Sequence, residues 1–316
     1  MTVEIRIRVP ASSANLGPGL DSFGLALGLY HELTLRTVDT HHSPTAIELS
    51  LEGEGARTLP DGDDNAIVQA LRAALEAAAY DGPDLRVHSA NAIPLARGLG
   101  SSAAAFLAGS AAGQLLSLGR VDEDRLLTDG WAAEGHGDNV APCIRGGFTI
   151  VTAEEGQIEC HRFGPPTGLA VVLGVPAFEL STATSRTSLP DSVSRGDAVH
   201  AASRAGLVAA GLAAGRLDLL ARGMAHERLH EPYRSAQVPG LAQVRRAALA
   251  AGAYGAALSG AGPSVLALVP AATEVGARVG EAMKAAWQEA GVASQALPLP
   301  IDADGLQAEK LPGDAT

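Results

Sequence analysis

The alternation of apolar and polar residues predicts strands and helices in both halves of the chain. Residues 3–9 alternate Val or Ile with Glu or Arg, which is typical of a strand with one buried face, and Pro10 ends it. Over residues 65–80 the apolar side chains recur at helical spacing instead, after the capping pair Asp63 and Asp64. The chain therefore begins with a strand and reaches a helix within its first quarter.

The same patterns predict the remaining elements. Further strands are predicted at residues 29–38, 45–51, 85–89, 148–152, 158–163, 169–175, 265–269 and 294–299. Further helices are predicted from residue 101 and at 122–131, 197–214, 217–230, 241–251 and 274–290. Because strands and helices mix without strict alternation, the predicted fold class is α+β. The composition changes around Gly164-Pro165-Pro166, which predicts two domains, residues 1–164 and 165–316, and the polar tail after Ile301 is expected to be frayed.

Composition narrows the class of protein. With 47% hydrophobic and 18% charged residues, the chain is typical of a folded globular protein. A net charge of −12 and the absence of a basic stretch argue against nucleic acid as a partner. The N-terminus has no apolar leader, and the uncharged residues 101–119 are mostly Ala, Ser and Gly, which favours a packed internal helix over a membrane span. We therefore expect a cytoplasmic protein without a membrane partner.

The two cysteines, Cys143 and Cys160, are too few for a disulfide framework or a Cys-rich zinc site. The two lysines, Lys284 and Lys310, both lie near the C-terminus and outside any Gly-Lys-Ser/Thr context. This position excludes a Walker-type phosphate loop, a protein kinase and a Schiff-base enzyme. Any nucleotide chemistry must therefore proceed without lysine.

The most informative segment is Gly-rich and joins a predicted strand to a long helix. It reads Pro94-Leu-Ala-Arg97-Gly98-Leu99-Gly100-Ser101-Ser102-Ala103. Glycines let the backbone approach a ligand closely, and a helix N-terminus offers free N–H groups and a positive dipole end to an anion. The ordinary alternative is a glycine turn followed by a serine that caps the helix.

Two other segments are also rich in glycine and small polar residues. Residues 10–24 place Asn15 and Asp21 among glycines, and residues 259–264 read Ser-Gly-Ala-Gly-Pro-Ser. Taken singly, each is also typical of a turn, because Asn, Asp and Gly all stabilise turns.

All three segments, in this order, resemble the motifs of the galactokinase/homoserine kinase/mevalonate kinase/phosphomevalonate kinase (GHMP) superfamily, and within it they are most similar to the homoserine kinases. Three further segments carry the same resemblance: Glu134-Gly-His136-Gly-Asp138-Asn139-Val-Ala-Pro, Ser181-Thr182-Ala-Thr-Ser-Arg186 and His230-Glu-Pro-Tyr-Arg234. The resemblance extends from about residue 3 to 300.

The resemblance implies an ATP-binding N-terminal domain like domain 2 of ribosomal protein S5 and a ferredoxin-like C-terminal domain. It further implies phosphoryl transfer from ATP, with Mg²⁺, to the hydroxyl of L-homoserine, giving O-phospho-L-homoserine on the route to threonine, and a homodimer. Another GHMP kinase of a small alcohol, or a non-catalytic ligand-binding member of the fold, remain alternatives. Two arginines that can face a carboxylate, Arg186 and Arg234, favour the amino-acid substrate over an uncharged alcohol.

The resemblance also assigns roles to single residues. Homoserine is a zwitterion, so Arg186 and Arg234 are expected to bind its carboxylate. Its ammonium and hydroxyl are expected to contact acceptors and one histidine, namely Asn15, Asp21, His136 and Asn139. Nucleotide contacts are expected from Asn65, Pro94, Arg97, Gly98, Leu99, Gly100, Ser101, Ser102 and Ala103.

Ser102 and Glu134 are the expected Mg²⁺ ligands, and Thr182 is expected to contact the γ-phosphate. Asp138 is interpreted as a positioning residue first and a base second, because a loose phosphoryl-transfer transition state asks little of a base. Two positions depart from the family pattern: Leu20 replaces a usual Phe, and Gly137 replaces a frequent Pro, which should make its loop more flexible.

Overall fold

A seven-stranded sheet forms one part of the fold in the computed structural model, which describes residues 2–312. Its strands are β1 (Val3–Ala14), β2 (Phe23–Thr37), β3 (Ile47–Gly53), β4 (Leu85–Asn91), β5 (Phe148–Glu154), β6 (Gln157–Phe163) and β11 (Gln307–Pro312). The main order is β11-β1-β2-β4-β3, and β5 pairs with the start of β2 and with β6. All pairs are antiparallel except β3 with β4.

A four-stranded antiparallel sheet forms the other part. It contains β7 (Leu169–Pro176), β8 (Gly255–Leu258), β9 (Val265–Pro270) and β10 (Ser294–Leu299) in the order β10-β7-β9-β8. The fully buried Trp287 lies in the apolar cluster that this sheet shares with the C-terminal helices. The predicted division at residue 164 falls between β6 and β7, whereas β11 returns to the first sheet; the two-domain division itself stays a prediction.

The helices surround these sheets. They are α1 (Ala66–Ala77), α2 (Ser101–Leu118), α3 (Glu123–Glu134), α4 (Val140–Arg145), α5 (Thr182–Arg186), α6 (Arg195–Ala213), α7 (Leu217–Gly223), α8 (Glu231–Arg234), α9 (Leu241–Ala250) and α10 (Thr273–Glu289). The mixture of helices and strands confirms the predicted α+β class.

Helix α2 packs within the apolar cluster that the seven-stranded sheet shares with its helices, which explains its composition of small residues. A Cβ at Gly113 would lie 2.7 Å from the Cβ of Ala74 in α1, so only glycine allows the two helices this separation. The predicted packed internal helix is therefore confirmed. Within residues 2–312, no helix combines the length and apolar character that a membrane crossing requires.

Several predicted boundaries were wrong. Strand β2 begins at Phe23 rather than at residue 29, and the helix expected over 217–230 ends at Gly223, which packs against Val208. Strand β8 and helix α4 had no counterpart in the prediction. The Gly-Ala-Ala-Leu of β8 lacks the residues that favour strands, and α4 contains Pro142.

The prediction of a frayed tail after Ile301 was also wrong for residues 302–312. The Asp302 carboxylate accepts hydrogen bonds from the Tyr30 hydroxyl at 2.9 Å and from the backbone N–H of Asp304 and Gly305. Beyond this anchor, β11 pairs with β1 from Arg8 back to Val3. Residues 313–316 lie outside the described part of the chain.

Candidate active site

One cleft of about 260 Å³ collects nearly every residue that the sequence singled out. It lies where the N-terminus of α2 meets the loops that follow β1, α3, β7 and β8. The predicted residues that line it are Asn15, Asp21, Pro94, Arg97, Gly98, Leu99, Gly100, Ser101, Ser102, Ala103, Glu134, His136, Asp138, Asn139, Thr182, Arg186 and Arg234. Asn65 lies in an adjoining cavity instead.

The N-terminus of α2 opens into this cleft with no side chain capping it. Gly100, with φ of +70°, occupies the N-cap position, so Ser101 and Ser102 are the first two helical residues. The ordinary alternative, in which a serine caps the helix, is therefore wrong. An uncapped first turn leaves backbone N–H groups and the positive dipole end available to an anion.

Only glycine fits at the two glycine positions of this loop. Gly98 and Gly100 both have φ of +70°. A Cβ at Gly98 would overlap the carbonyl of Ser259, and a Cβ at Gly100 would overlap Oγ of Ser12. Close packing of the loop against its neighbours, together with the positive φ angles, explains the pattern of glycines.

The side chain of Arg97 holds this loop in place by binding backbone carbonyls. Its guanidinium donates to the carbonyls of Leu95 at 3.0 Å, Pro176 at 2.9 Å and Ala177 at 2.7 Å. These bonds fasten the loop to the end of β7, so the guanidinium is already engaged where the sequence suggested a nucleotide contact.

His136 and Asp138 form a buried pair at the cleft. Asp138 is 1% exposed, and its carboxylate is hydrogen-bonded to Nδ1 of His136. Burial alone would lower the pKa of His136, but the hydrogen bond and the charge of Asp138 outweigh it and raise this pKa. Nε2 of His136 is buried and has no partner among the described residues.

Gly137, between these two residues, is closely packed, and the greater flexibility expected of its loop stays a prediction. A Cβ there would overlap the ring of Trp131, so the glycine lets the indole pack directly beneath the backbone of the pair. A proline at this position would meet the same obstacle.

Asp21 and Arg186 form a bidentate ion pair. Nη2 of Arg186 donates to Oδ1 of Asp21 at 2.7 Å, and Nη1 donates to Oδ2 at 3.2 Å. The backbone N–H of Asp21 donates to Oδ1 of Asn15 at 3.0 Å, which closes the loop between them. Asn15, Leu16 and Asp21 all have positive φ, an arrangement that costs energy in non-glycine residues and is found mostly at functional sites.

Arg234 presents a different electrostatic situation. It is 2% exposed, yet no carboxylate within residues 2–312 forms an ion pair with it. Its Nη1 donates only to neutral acceptors, the carbonyl of Gly260 at 3.2 Å and Nδ1 of His230 at 3.1 Å, and its Nε has no partner in the described chain. Burial lowers its pKa. A buried cation without a carboxylate in ion-pair contact is costly, so this position suits an anionic ligand.

The two residues expected to bind a metal also line the cleft. Glu134 is the last residue of α3, and its side chain forms neither an ion pair nor a hydrogen bond in the described chain, whereas Ser102 lies in the first turn of α2. Thr182 is the first residue of α5, whose N-cap is Ser181. No cluster of three or more His, Cys, Asp or Glu side chains suited to a metal occurs within residues 2–312.

The adjoining cavity of about 320 Å³ shares Ala96, Ser101 and Ser102 with the cleft. Asn65 caps α1 here: its Oδ1 accepts from the N–H of Ile67 at 2.9 Å, and its Nδ2 donates to the carbonyl of Pro60 at 2.6 Å. The side chain therefore shapes this cavity as well as starting the helix.

Sequence reasoning missed the residues that support the cleft from behind. Buried Glu227 accepts three backbone N–H bonds around His230, and buried Glu231 binds Arg245 and the N–H of Leu258. The motif of residues 230–234 contains His230 and Glu231, but only its arginine suggested a role.

Comparison with known proteins gives consistent results along the whole chain. The sequence profile described as GHMP kinases N terminal domain matches residues 65–147, and that described as GHMP kinases C terminal matches residues 208–288. The homoserine kinase of Moorella thermoacetica is 41% identical over 90% of this chain and 93% of its own length. That of Deinococcus radiodurans is 42% identical over 96% of both chains.

Solved structures show the same likeness. A homoserine kinase from Cytophaga hutchinsonii superposes with a TM-score of 0.85 at 29% identity, covering 97% of each chain. The L. major mevalonate kinase in complex with R-mevalonate superposes with a TM-score of 0.74 and covers 94% of this chain and 95% of its own. At 16% identity, this second likeness concerns the fold alone.

Proposed function

The chain belongs to the homoserine kinase branch of the GHMP kinase family, and on that premise we propose that it transfers the γ-phosphoryl group of ATP to the side-chain hydroxyl of L-homoserine. Membership in this family implies ATP as the phosphoryl donor. The product is O-phospho-L-homoserine, an intermediate on the route to threonine.

The observation that supports this function most strongly is the presence of two unsatisfied anion-binding groups in one cleft. The uncapped N-terminus of α2 suits a phosphate, and the buried, unpaired Arg234 suits a carboxylate. A substrate with a carboxylate, presented to a phosphate donor, satisfies both. An uncharged alcohol would leave Arg234 without a counter-ion.

The zwitterionic part of homoserine fits the remaining charges. Arg234 binds the carboxylate, and Asp21, oriented by Asn15, accepts from the ammonium. The pairing of Asp21 with Arg186 is exchanged when substrate binds: Asp21 turns to the ammonium and Arg186 joins Arg234 at the carboxylate. Asn139 and His136 line the same space and contact the substrate's polar atoms.

The nucleotide extends from the cleft into the cavity beside Asn65. Its phosphates lie against Gly98–Ala103, where backbone N–H groups and serine hydroxyls replace the missing lysine. Its base occupies the adjoining cavity, which shares Ser101 and Ser102 with the cleft.

The residues present fit a magnesium ion, because Glu134 is an unpaired carboxylate and Ser102 a hydroxyl, both of the oxygen class that Mg²⁺ prefers. These two residues would hold it together with the phosphates. When bound, the ion neutralises charge on the transferring phosphoryl group.

Asp138 serves mainly to position the reacting hydroxyl. Its burial and its bond to His136 fix the carboxylate in one orientation, which favours an in-line approach of the hydroxyl to the phosphorus. Asp138 then receives the hydroxyl proton late, when the new bond is largely formed. Thr182 donates to the γ-phosphate from the edge of the cleft.

A coupled ADP-release assay with Mg-ATP tests the function on a panel of homoserine, serine, threonine, mevalonate and galactose. Homoserine should be turned over with the highest kcat/KM; turnover of mevalonate but not homoserine would refute the proposal. No turnover of any compound would favour the non-catalytic alternative.

The role of Arg234 has its own test. Arg234→Ala should raise KM for homoserine by about a hundredfold, as expected when a buried charge pair is lost, and change KM for ATP much less. Arg246→Ala removes an exposed arginine of α9 outside the cleft and should change neither constant. Equal effects of Arg234→Ala on both substrates would contradict its role.

The family resemblance also leads us to propose a homodimer in the cytoplasm. Sedimentation of the purified protein would test the dimer, and fractionation of the source cells its location.

A further inference from the structure

His230 lies directly behind Arg234 and has no role so far. It immediately precedes α8, is completely buried, and contacts Arg234, which lines the cleft. Both ring nitrogens are engaged: Nε2 lies 2.8 Å from the carbonyl oxygen of Gly17, and Nδ1 lies 3.1 Å from Nη1 of Arg234.

These two contacts determine which nitrogen of His230 carries the hydrogen. A carbonyl oxygen only accepts, so Nε2 must be the donor to Gly17. Arg234 only donates, so Nδ1 must be the acceptor. A neutral imidazole with its hydrogen on Nε2 satisfies both partners, whereas the doubly protonated ring would turn an N–H towards the guanidinium.

A neutral acceptor has a specific advantage at this place. An aspartate or glutamate behind Arg234 would hold it equally well but would neutralise it and compete with the carboxylate of the substrate. His230 and the carbonyl of Gly260 both orient the guanidinium without cancelling its charge. The positive charge therefore remains available to the ligand.

The same contacts connect Arg234 to the loop that carries Asp21. The carbonyl of Gly260 accepts from Arg234 and also from Nδ2 of Asn15, at 2.9 Å. Gly17, the partner of His230, lies in the loop between Asn15 and Asp21. The carbonyls of Gly260 and Gly17 thereby link Arg234 to the loop of Asp21 and fix the distance between the two residues, although they lie far apart in the sequence.

The backbone around His230 is itself fixed. The carboxylate of Glu227 accepts the N–H of His230 at 2.9 Å and that of Glu231 at 2.8 Å, and it lies 3.9 Å from Nε2 of the ring. Because these hydrogen bonds hold both the backbone and the ring of His230 in place, the Nδ1 lone pair points in a fixed direction. That direction orients the guanidinium of Arg234.

We propose that His230 is a positioning residue for substrate recognition: as a neutral acceptor at Nδ1, it orients Arg234 without cancelling the charge of the guanidinium. This inference rests on the proposed function only in taking Arg234 to bind the substrate's carboxylate.

The test compares variants that keep different halves of the imidazole. His230→Gln can still donate to Gly17 but offers no acceptor at the Nδ1 position, whereas His230→Asn places a carbonyl oxygen there. We expect His230→Gln to raise KM for homoserine about tenfold, as for one lost hydrogen bond to a charged group, and His230→Asn to stay within about threefold of wild type. KM for ATP should change less than about twofold in both variants.

Two controls separate positioning from general damage. His200→Gln alters a half-buried histidine outside the cleft, whose Nε2 also contacts a carbonyl, that of His226 at 2.9 Å, and should leave both KM values unchanged. In an Arg234→Ala background, His230→Gln should add nothing, because the partner it orients is gone. Thermal melting confirms that each variant is folded, and His230→Phe, which also lacks the acceptor, takes the place of His230→Gln if that variant does not fold.

Three results would overturn the proposal: equal effects of the Gln and Asn variants, a parallel rise of KM for both substrates, or a full effect of His230→Gln in the Arg234→Ala background. A failure of the proposed function is distinct, because it shows in the wild-type protein as absent turnover of homoserine. The same ratios between variants and wild type are then measured on whichever panel compound is phosphorylated.

Discussion

Replacing Gly100 with alanine tests the phosphate-binding end of α2, because the same helix supplies a matched control at its other end. Gly100 and Gly119 flank α2 and share a φ of +70°, with ψ of 22° and 6°. A left-handed conformation costs a residue with a Cβ about 1–2 kcal/mol. Gly100→Ala and Gly119→Ala therefore carry the same backbone penalty.

The surroundings of the two glycines differ. Apart from its chain neighbours, no atom of the described residues lies within 4 Å of a Cβ at Gly119, whereas a Cβ at Gly100 would overlap Oγ of Ser12 and lie 3.3 Å from Oδ1 of Asn139. Ser12 is buried and donates to Asn139 at 3.0 Å, and its N–H donates to the carbonyl of Leu99 at 3.1 Å. It cannot move without disturbing the loop, so overpacking adds about 1–3 kcal/mol at Gly100.

Denaturant unfolding and steady-state kinetics measure the two effects separately. Gly119→Ala should lose about 1–2 kcal/mol of unfolding free energy with an unchanged KM for ATP. Gly100→Ala should lose about 2–5 kcal/mol, and its KM for ATP should rise at least about tenfold because the N–H groups of the first turn shift. An equal KM for ATP in the two variants would refute the role of this helix end in nucleotide binding.

Three further predictions concern the pair of His136 and Asp138, the metal ion, and Gly137. Because the pKa of His136 is raised in the folded protein, its charged pair with Asp138 stabilises fully below the ordinary value of 6.5, and this contribution is lost as the pH rises through the raised pKa. The difference in melting temperature between wild type and His136→Gln should therefore shrink from about pH 6 to about pH 9, and a constant difference would contradict the pair. Chelation with EDTA should abolish ADP release but leave the melting temperature of the nucleotide-free protein unchanged, since residues 2–312 contain no protein-only metal cluster; a lowered melting temperature would argue against this. Gly137→Ala should lower kcat with homoserine and destabilise the fold by about 1–3 kcal/mol through its clash with Trp131, and Trp131→Leu in the same chain should restore both; an unchanged kcat in the single variant would show that the packing is irrelevant to Asp138.

Most of the lining of the cleft could be predicted from the sequence because its signals are local. Gly98 and Gly100 indicate a loop with positive φ next to the start of a helix, and this combination can be recognised from a few consecutive residues. The ion-pair and hydrogen-bond partners of the charged residues and of His230 could not be predicted in this way. Asp21 and Arg186 are 165 positions apart, and His230 and Gly17 are 213 positions apart, so only the folded chain reveals that they meet.

The errors in the fold have a related cause. Strand β8 forms because β9 offers it a partner, although Gly-Ala-Ala-Leu carries no strand preference of its own. The tail after Ile301 is polar and reads as loose, but Asp302 and the edge of β1 fix it through contacts with residues more than 250 positions away. Tertiary partners, which the local pattern cannot contain, decided both cases.

The pairing of β11 with β1 has a consequence for how the protein is made. Strand β1 is synthesised before residues 15–306, yet its outer edge acquires a partner only after residues 307–312 have been synthesised. While the residues between the two strands are being made, the nascent chain therefore carries an open strand edge that can pair with other chains. Arg6 and Arg8 alternate with apolar residues along this edge, and their charges discourage such pairing until the chain closes on itself.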